Sequence, residues 1–576
     1  MEAARPGAEL GAREGRAAIA AWSLAIAGAV FAAFLPALSA GFLYWDDDKN
    51  FLDHQAWRGL SLEHLRWMAT TCHGGPYQPL AWLSLAVDHA LFGMDPRGYH
   101  ATNVALHALG AVVFFFLAAR LLPLASPALA GRTRLPCAAV AALLFALHPL
   151  RVESVAWITE RRDVLSGIFF CASIRAYLAH ASREEGNRAA YLASLGLLLA
   201  SLLAKASGIV MPAVLLLLDA WPLRRPIRRA LVEKIPFALI AAPFAWIAWW
   251  GQATQTGAMR SLEAHGIPDR LAQASYAAAF YPAKTLFPRN LIPIRELPSP
   301  FDPFEARFVA CALLVVATTI VLHRLRRAFP APWTAWAVYL VVLAPVSGLA
   351  GVGPQLVADR YAYLACMPLA LLAAGAIFVH AGRFALPLSL ALAALLGGLA
   401  WTQTRRWHDT ETLFTYSLSV HPRSHVSHDL VGRMLAMRGR TSEAAEHYRT
   451  AIEIAPDHPI PRNNLGLLLL EEGRVDEAIE QFRGALAVSP DYAKARSHLG
   501  VALFRAGRVE EAEAELRDGV RRNPGDFATR LNLGVLLVTR ERLEEAATEL
   551  EAALAIDPGS AEARRLLAQV RAKLGK

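Results

Sequence analysis

Two patterns of apolar positions divide the chain. From residue 17 to residue 402 apolar side chains come in long unbroken runs separated by short charged stretches. From residue 403 onward they come singly and in pairs at helical spacing, among Glu, Arg and Ala. A membrane helix needs about 20 apolar residues. Residues 17–43 offer 27 uncharged ones, too many for a signal-peptide core and with no clean cleavage site before Tyr44, so a retained helix is predicted. Runs at 99–122, 135–149, 164–182, 189–204, 206–223, 235–251, 308–322, 331–352, 361–379 and 384–402 bring the expected spans to eleven. A further apolar stretch, 271–288, lies in the long loop 252–307 and reads as a re-entrant or interfacial helix.

The second pattern has a fixed period. Pro422, Pro456, Pro490, Pro524 and Pro558 are 34 residues apart. So are Val431-Gly432, Leu465-Gly466, Leu499-Gly500 and Leu533-Gly534, and Glu443-Ala444, Glu477-Ala478, Glu511-Ala512 and Glu545-Ala546. Each unit reads as helix, turn, helix and proline-marked turn, with Gly466, Ala478 and Ala485 letting paired helices approach closely. This is the tetratricopeptide pattern, four units over about 423–558 and a capping helix at 560–574. Such arrays form a concave groove for extended peptides and serve equally as assembly scaffolds or for substrate capture. The division predicts a membrane domain over 1–402, a linker over 403–422 and a repeat domain over 423–576, an all-α chain throughout.

Composition agrees once the two parts are kept separate. The 576 residues are 55% hydrophobic and 19% charged, with a mean hydropathy of +0.32. That excludes a single soluble globule and a disordered chain. The net charge of +9 suggests nucleic acid only until its arginines are placed. Arg5, Arg13 and Arg16, then Arg132 and Arg134, then Arg224, Arg225, Arg228, Arg229 and Lys234 fall in alternate short loops. The positive-inside rule then puts the N-terminus inside, and an odd number of spans puts the repeats on the outer side. The expected setting is a membrane with the repeats on its outer side and no nucleic-acid partner. The five cysteines, Cys72, Cys137, Cys171, Cys311 and Cys366, show no paired spacing and argue against a disulfide framework or zinc site.

Charges among apolar runs carry the chemistry. Asp46-Asp47-Asp48 opens the first outer loop. Adjacent carboxylates repel and need cations, a metal or water around them. They form either a solvated acidic loop or a general base at the mouth of a membrane cavity. Glu153, Arg161, Asp163, Lys205 and Arg360 lie at the same expected edge, where ionisable groups mark ligand paths. Lys205 stands alone in an apolar hairpin. Arg151 and Arg162 read instead as helix-end residues snorkelling to the interface. Asp219 and Arg175 read as structural, and His107 as a helix–helix hydrogen bond.

Several stretches together resemble a known family. They are Phe42-Leu43-Tyr44-Trp45-Asp46-Asp47-Asp48 with Asp53, and Tyr77-Gln78-Pro79-Leu80 with Gly98-Tyr99-His100-Ala101-Thr102-Asn103-Val104 and Leu106-His107. They continue with His148-Pro149, Glu153-Ser154-Val155-Ala156, Arg161 and Asp163-Val164-Leu165-Ser166, then Lys205 through Pro212, and finally Ala358-Asp359-Arg360-Tyr361-Ala362-Tyr363-Leu364. With the repeats, the chain resembles the transmembrane-and-tetratricopeptide protein O-mannosyltransferases and their bacterial relatives, of the GT-C glycosyltransferase superfamily. It departs from them at Gln78, where the family often has Arg, at Ala206, where eukaryotic members often have Glu, and in its short repeat array.

The resemblance implies an inverting transfer of a sugar, mannose by analogy, from a polyprenyl-phosphate carrier to Ser or Thr hydroxyls of proteins on the outer face, the repeats capturing the acceptor. It implies Asp46 as the base with Asp47 in support, and Arg360, Lys205 and Arg161 around the lipid phosphate. Glu153 and Asp48 would position the acceptor or a cation, and His148 either joins them or orients the loop. No cofactor is certain; three carboxylates leave room for a divalent metal, but no separate ligand set argues for one. The competing readings are a silent membrane-anchored repeat scaffold and a transferase acting on a lipid or envelope glycan. A transporter fits less well, because transport sites favour the bilayer midplane.

Overall fold

The structure is a computed structural model that describes residues 6–254, 259–351, 353 and 355–575, with side chains from residue 15. Arg5 and residues 255–258 of the long loop lie outside the described residues, and Arg13 is described by its backbone alone. The chain forms two compact units, Met1–Leu413 and Phe414–Lys576.

The first unit is a bundle of apolar helices. Among the described residues, six helices have the length and apolar character to cross a membrane: Gly15–Ser39, Pro96–Ala125, Ile158–Ala181, Ile227–Thr254, Ala306–Leu325 and Gly382–Arg406. Two bent pairs, Gly131–Ala146 with Pro149–Ala156 and Asp359–Ala365 with Met367–His380, break by 58° and 60°; each taken as one span, the total is eight. The count differs from the expected eleven because three apolar runs do not make long helices. Run 189–204 gives Arg188–Ala204 and run 206–223 gives Ala206–Ala220, with Lys205 extended between them. Run 331–352 gives Pro330–Val346.

Local chemistry explains several of these boundaries. Asp95 caps Pro96–Ala125 by accepting from Arg97 N at 3.0 Å, with proline in the first turn. Asn187 caps Arg188–Ala204 by accepting from Ala190 N at 3.1 Å. Pro149 has no amide to donate and restricts His148 before it, so the helix ends there. The core follows this broken segment: every residue from Cys137 to Arg161 is buried.

Stretch 271–288 falls in helix Ile267–Leu286, which holds a short antiparallel ladder. Arg295–Glu296 pairs with Gln355–Val357. Gln273 Nε2 donates to Gln355 O at 2.9 Å, and Tyr281 Oη donates to Ala358 O at 2.9 Å. Apart from this ladder the described residues are helical or irregular, so the all-α expectation holds.

The second unit is the expected solenoid. Helices His425–Met437 and Thr441–Ile454 form the first pair, followed by Pro459–Glu471 with Val475–Val488, Ala493–Arg505 with Val509–Arg522, and Phe527–Thr539 with Leu543–Ile556; Ala561–Lys573 caps the array. The repeated glycine has a packing cause. A Cβ on Gly466 would lie 2.7 Å from the Phe482 ring, and one on Gly500 would lie 2.6 Å from Leu516, closer than atoms can sit.

Candidate functional site

The acidic loop is built from its backbone outward. Asp46 adopts φ +67°, a left-handed conformation that Asp tolerates better than most side chains. This turns its carboxylate outward, 46% exposed, with Lys49 Nζ at 3.2 Å. Asp47 points the other way and is fully buried. Its carboxylate accepts from Leu43 N at 3.0 Å, Thr159 N at 3.2 Å and Thr159 Oγ1 at 2.6 Å. Burial pushes Asp47 up to about 7 despite these donors. Asp48 is also buried and starts the turn Asp48–Leu52, its carbonyl accepting from Asp53 N at 2.8 Å. So the three acids divide: Asp46 faces out, Asp47 clamps the loop to Thr159, and Asp48 starts a turn.

The residue after Thr159 is the centre of the cationic side. Glu160 is completely buried. Arg162 reaches both of its oxygens, Nε at 3.2 Å and Nη2 closer still. Lys205 Nζ lies 3.1 Å from it, and Arg360 Nε lies 3.6 Å away. Lys205 also contacts Asp163 at 2.6 Å. Glu153 grips Arg360 twice, accepting from its guanidinium and from its backbone N at 3.1 Å. The segment before Arg360 is held in turn by Arg295, 3.3 Å from Asp359. Arg360 lies over the Trp157 ring at 5.4 Å, and Trp157 lies 6.4 Å from Trp45, the neighbour of Asp46. The acidic loop and the cation cluster therefore meet along residues 157–160.

The placement of Arg161 differs from the expectation. Its side chain is fully buried and spoken for: Asp88 at 2.5 Å, Asn103 Oδ1 at 2.6 Å, Tyr99 O at 2.8 Å and Ser84 Oγ at 3.2 Å. A guanidinium with its donors consumed and no access cannot meet a phosphate, so Arg161 supports the fold. Its neighbour Arg162 keeps 16% exposure and is bound to Glu160. Arg151 does not snorkel; it is buried between the Phe145 and Tyr363 rings. His148 has a partner at each ring nitrogen. Its Nδ1 accepts from Leu150 N at 3.2 Å, and its Nε2 lies 3.0 Å from Thr285 O. Glu160 and Arg162 are the site residues that the sequence reading missed. The signal was available: Glu160-Arg161-Arg162-Asp163 is four consecutive charges inside an apolar stretch.

The other motif residues brace the same place. Asn103 Nδ2 donates to Val155 O at 3.1 Å, and Thr102 Oγ1 donates to Asp88 at 2.8 Å. His107 joins helices as expected, 2.9 Å from Tyr363 Oη and 3.0 Å from Ala146 O. Gln78 accepts from Arg162 Nη1 at 3.4 Å. Among the described residues, no three His, Cys, Asp or Glu side chains are gathered as a metal site.

Two family models match the second unit: one described as tetratricopeptide repeat at residues 463–527 and 531–576, and one described as TPR repeat at 432–473. Curated relatives match more widely. Mouse protein O-mannosyl-transferase TMTC2 is 33% identical over 159 residues, 26% of this chain and 18% of that protein. The fruit-fly protein O-mannosyl-transferase Tmtc1 is 31% identical over 214 residues, 36% and 23% of the two chains. Human protein O-mannosyl-transferase TMTC1 is 26% identical over 452 residues, 68% and 49% of the two. The chain thus spans from a fifth to a half of the length of these relatives. Among solved structures, the tetratricopeptide protein YrrB is 21% identical with a TM-score of 0.24, covering 28% of this chain and 84% of that one. These matches, from the tetratricopeptide models over the second unit to a relative aligned over 68% of the chain, make the chain similar to proteins named protein O-mannosyl-transferases.

Proposed function

We propose that the chain is a membrane glycosyltransferase that moves a sugar, mannose by analogy with its relatives' names, from a polyprenyl-phosphate carrier to protein hydroxyls. The observation that carries this reading is the layering of charge at residues 153–163. The cations keep partial exposure, 19% for Lys205, 16% for Arg162 and 11% for Arg360, over carboxylates exposed by 2% at Glu153 and not at all at Glu160. An arriving anion meets the cations first. Linked to them through the Trp45 and Trp157 rings is the loop of Asp46, whose carboxylate is the one turned outward of the three adjacent acids.

The chemistry follows. The Asp46 carboxylate takes the proton of an acceptor hydroxyl while the hydroxyl oxygen attacks the anomeric carbon from the side opposite the phosphate. The bond from that carbon to the phosphate oxygen breaks, and the electron pair leaves with the polyprenyl phosphate. Arg360, Lys205 and Arg162 stabilise the charge that grows on the phosphate. Glu153 holds Arg360 in place, and Asp47 fixes the loop so that Asp46 keeps its strained, outward conformation. The repeats supply a surface for the acceptor chain.

The test uses the purified full chain with labelled polyprenyl-phosphate mannose and an extract of envelope proteins. Asp46→Asn is expected to lower labelling by about 10²- to 10⁴-fold, the range for a lost general base. Equal labelling by variant and wild type removes Asp46 from the role. No labelling by the wild type with any polyprenyl-linked sugar leaves the scaffold reading.

A further inference from the structure

Helix Ala385–Arg406 closes on a short turn, with Trp407 N donating to Thr404 O at 3.0 Å, and helix Thr410–Val420 starts three residues later. Asp409 caps that start. Its Oδ1 accepts from Thr412 N at 2.8 Å, and its Oδ2 lies 2.9 Å from His408 Nδ1. The cap leaves Thr410 in the first helical turn, buried, where its hydroxyl meets the acidic loop. Thr410 Oγ1 accepts from Tyr44 N at 2.8 Å, across 366 residues of sequence. Two residues earlier, His408 O accepts from Gly41 N at 3.0 Å. Trp407 is buried too, its ring 6.2 Å from Trp157, the ring over which Arg360 lies. All of these residues fall within the first unit.

We propose that Trp407–Thr410 is a positioning element of the site: it holds the backbone from which Asp46 projects and backs the Trp157 ring beside Arg360. The proposal rests on the transferase reading for what Asp46 and Arg360 do. It adds that the chain leaving helix Ala385–Arg406 decides how they are held. The physical case is the left-handed backbone of Asp46, φ +67°. A side chain other than glycine keeps that conformation only where its surroundings over-determine it. Asp47 fixes the loop after Asp46 through Thr159. The amides of Gly41 and Tyr44 fix the approach to it through His408 and Thr410. With both flanks held, the residue between them has little room to relax. Trp407 behind Trp157 likewise leaves that ring no space to retreat from Arg360. Thr410 acts through the Tyr44 amide and not on substrate.

Thr410→Val keeps the shape of the side chain and removes the acceptor; Thr410→Ser keeps the acceptor and removes a methyl. Transfer by the purified full chain is measured with labelled polyprenyl-phosphate mannose and an extract of envelope proteins, over a range of donor concentrations. Thr410→Val is expected to lower kcat by about 10- to 100-fold, the scale for a reacting group misplaced by about an ångström. Its KM for the donor stays at the wild-type value, because Glu153 and Glu160 hold the cations without Tyr44. Thr410→Ser restores kcat. A Val variant as fast as the wild type, a Ser variant as slow as Val, or a loss carried by the donor KM overturns the proposal. Hydrogen exchange of the full chain in detergent needs no transfer. Faster exchange of amides 41–53 in Thr410→Val, with Thr410→Ser at the wild-type rate and helix Arg161–Ala181 unchanged, supports the proposal even if the wild type transfers nothing, an outcome that would sink the transferase reading alone. Exchange unchanged at 41–53, or raised throughout the first unit, overturns it.

Discussion

Arg440, Arg474, Arg508 and Arg542 of the repeat unit each pair with the glutamate three residues on, at 2.6–2.7 Å and with both partners well exposed. In the membrane unit, Lys205 meets Asp163 across 42 residues of sequence, and Arg360 meets Glu153 across 207. Arg161 and Asp88 are both almost fully buried. The first kind of pair is made by a helix turn with itself, repeats with the period, and is screened by water. The second kind exists only if distant segments arrive at one place, and either partner alone is a charge in a dry interior. Abundant ion pairs therefore say little about the repeats' stability, whereas a few of them specify how the bundle is arranged.

The contrast can be broken at its strongest point first. Arg161→Met leaves Asp88 buried without its cation and is expected to cost about 3–5 kcal/mol. Thermal unfolding of the full chain in detergent measures it, and Arg161→Met with Asp88→Leu should recover much of the loss. A single variant as stable as wild type would mean that the buried pair is dispensable. Gly500→Val tests the repeat unit where packing decides: the new side chain meets Leu516, at an expected cost of about 1–3 kcal/mol.

A weaker, pH-dependent effect sharpens the comparison inside the acidic loop. Asp47 holds its proton up to about 7, while an unfolded Asp releases it near 3.8. Between those values the folded state binds the extra proton, so stability falls as pH rises from about 4 to 7. His54 does the reverse. Burial and the stacked His73 ring, 4.2 Å away, pull it down to about 4 from 6.5, so its contribution is lost as pH falls through that window. Asp47→Asn should leave the His54 slope alone, with stability rising as pH goes from 4 to 6.5. Unfolding midpoints across pH read this directly; identical slopes in variant and wild type would refute it. Arg474→Ala should change the midpoint by nothing measurable, and a clear drop would show that the surface pairs matter more than screening allows.

The same contrast explains what could be read from the sequence. The repeats were legible because every local cause recurs: the glycine under Phe482 in one unit lies under Leu516 in the next. The long apolar runs were legible by length, and Lys205 by its isolation. Arg161 and Arg162 could not be told apart. They are neighbours at the junction of a 3-10 turn, Ile158–Glu160, and a helix. Their segment is apolar on all sides, so no periodicity indicates which one points inward. Asp47's clamp on Thr159 and Glu160's three cations depend on contacts between distant segments, which spacing does not encode. The short helices on either side of Lys205 were hidden for a related reason: hydropathy reports run length, not where the backbone turns.

The bend between Gly131–Ala146 and Pro149–Ala156 also bears on how the protein is made. Glu153 leaves the ribosome 207 residues before Arg360. At synthesis rates of about 5–20 residues per second, the acid waits on the order of 10–40 s for its partner. A straight helix would carry that unpaired carboxylate into hydrocarbon during the interval. A half-helix hinged at His148-Pro149 can keep it at the water's edge until Arg360 emerges, so insertion of this segment is completed by a residue more than a third of the chain away.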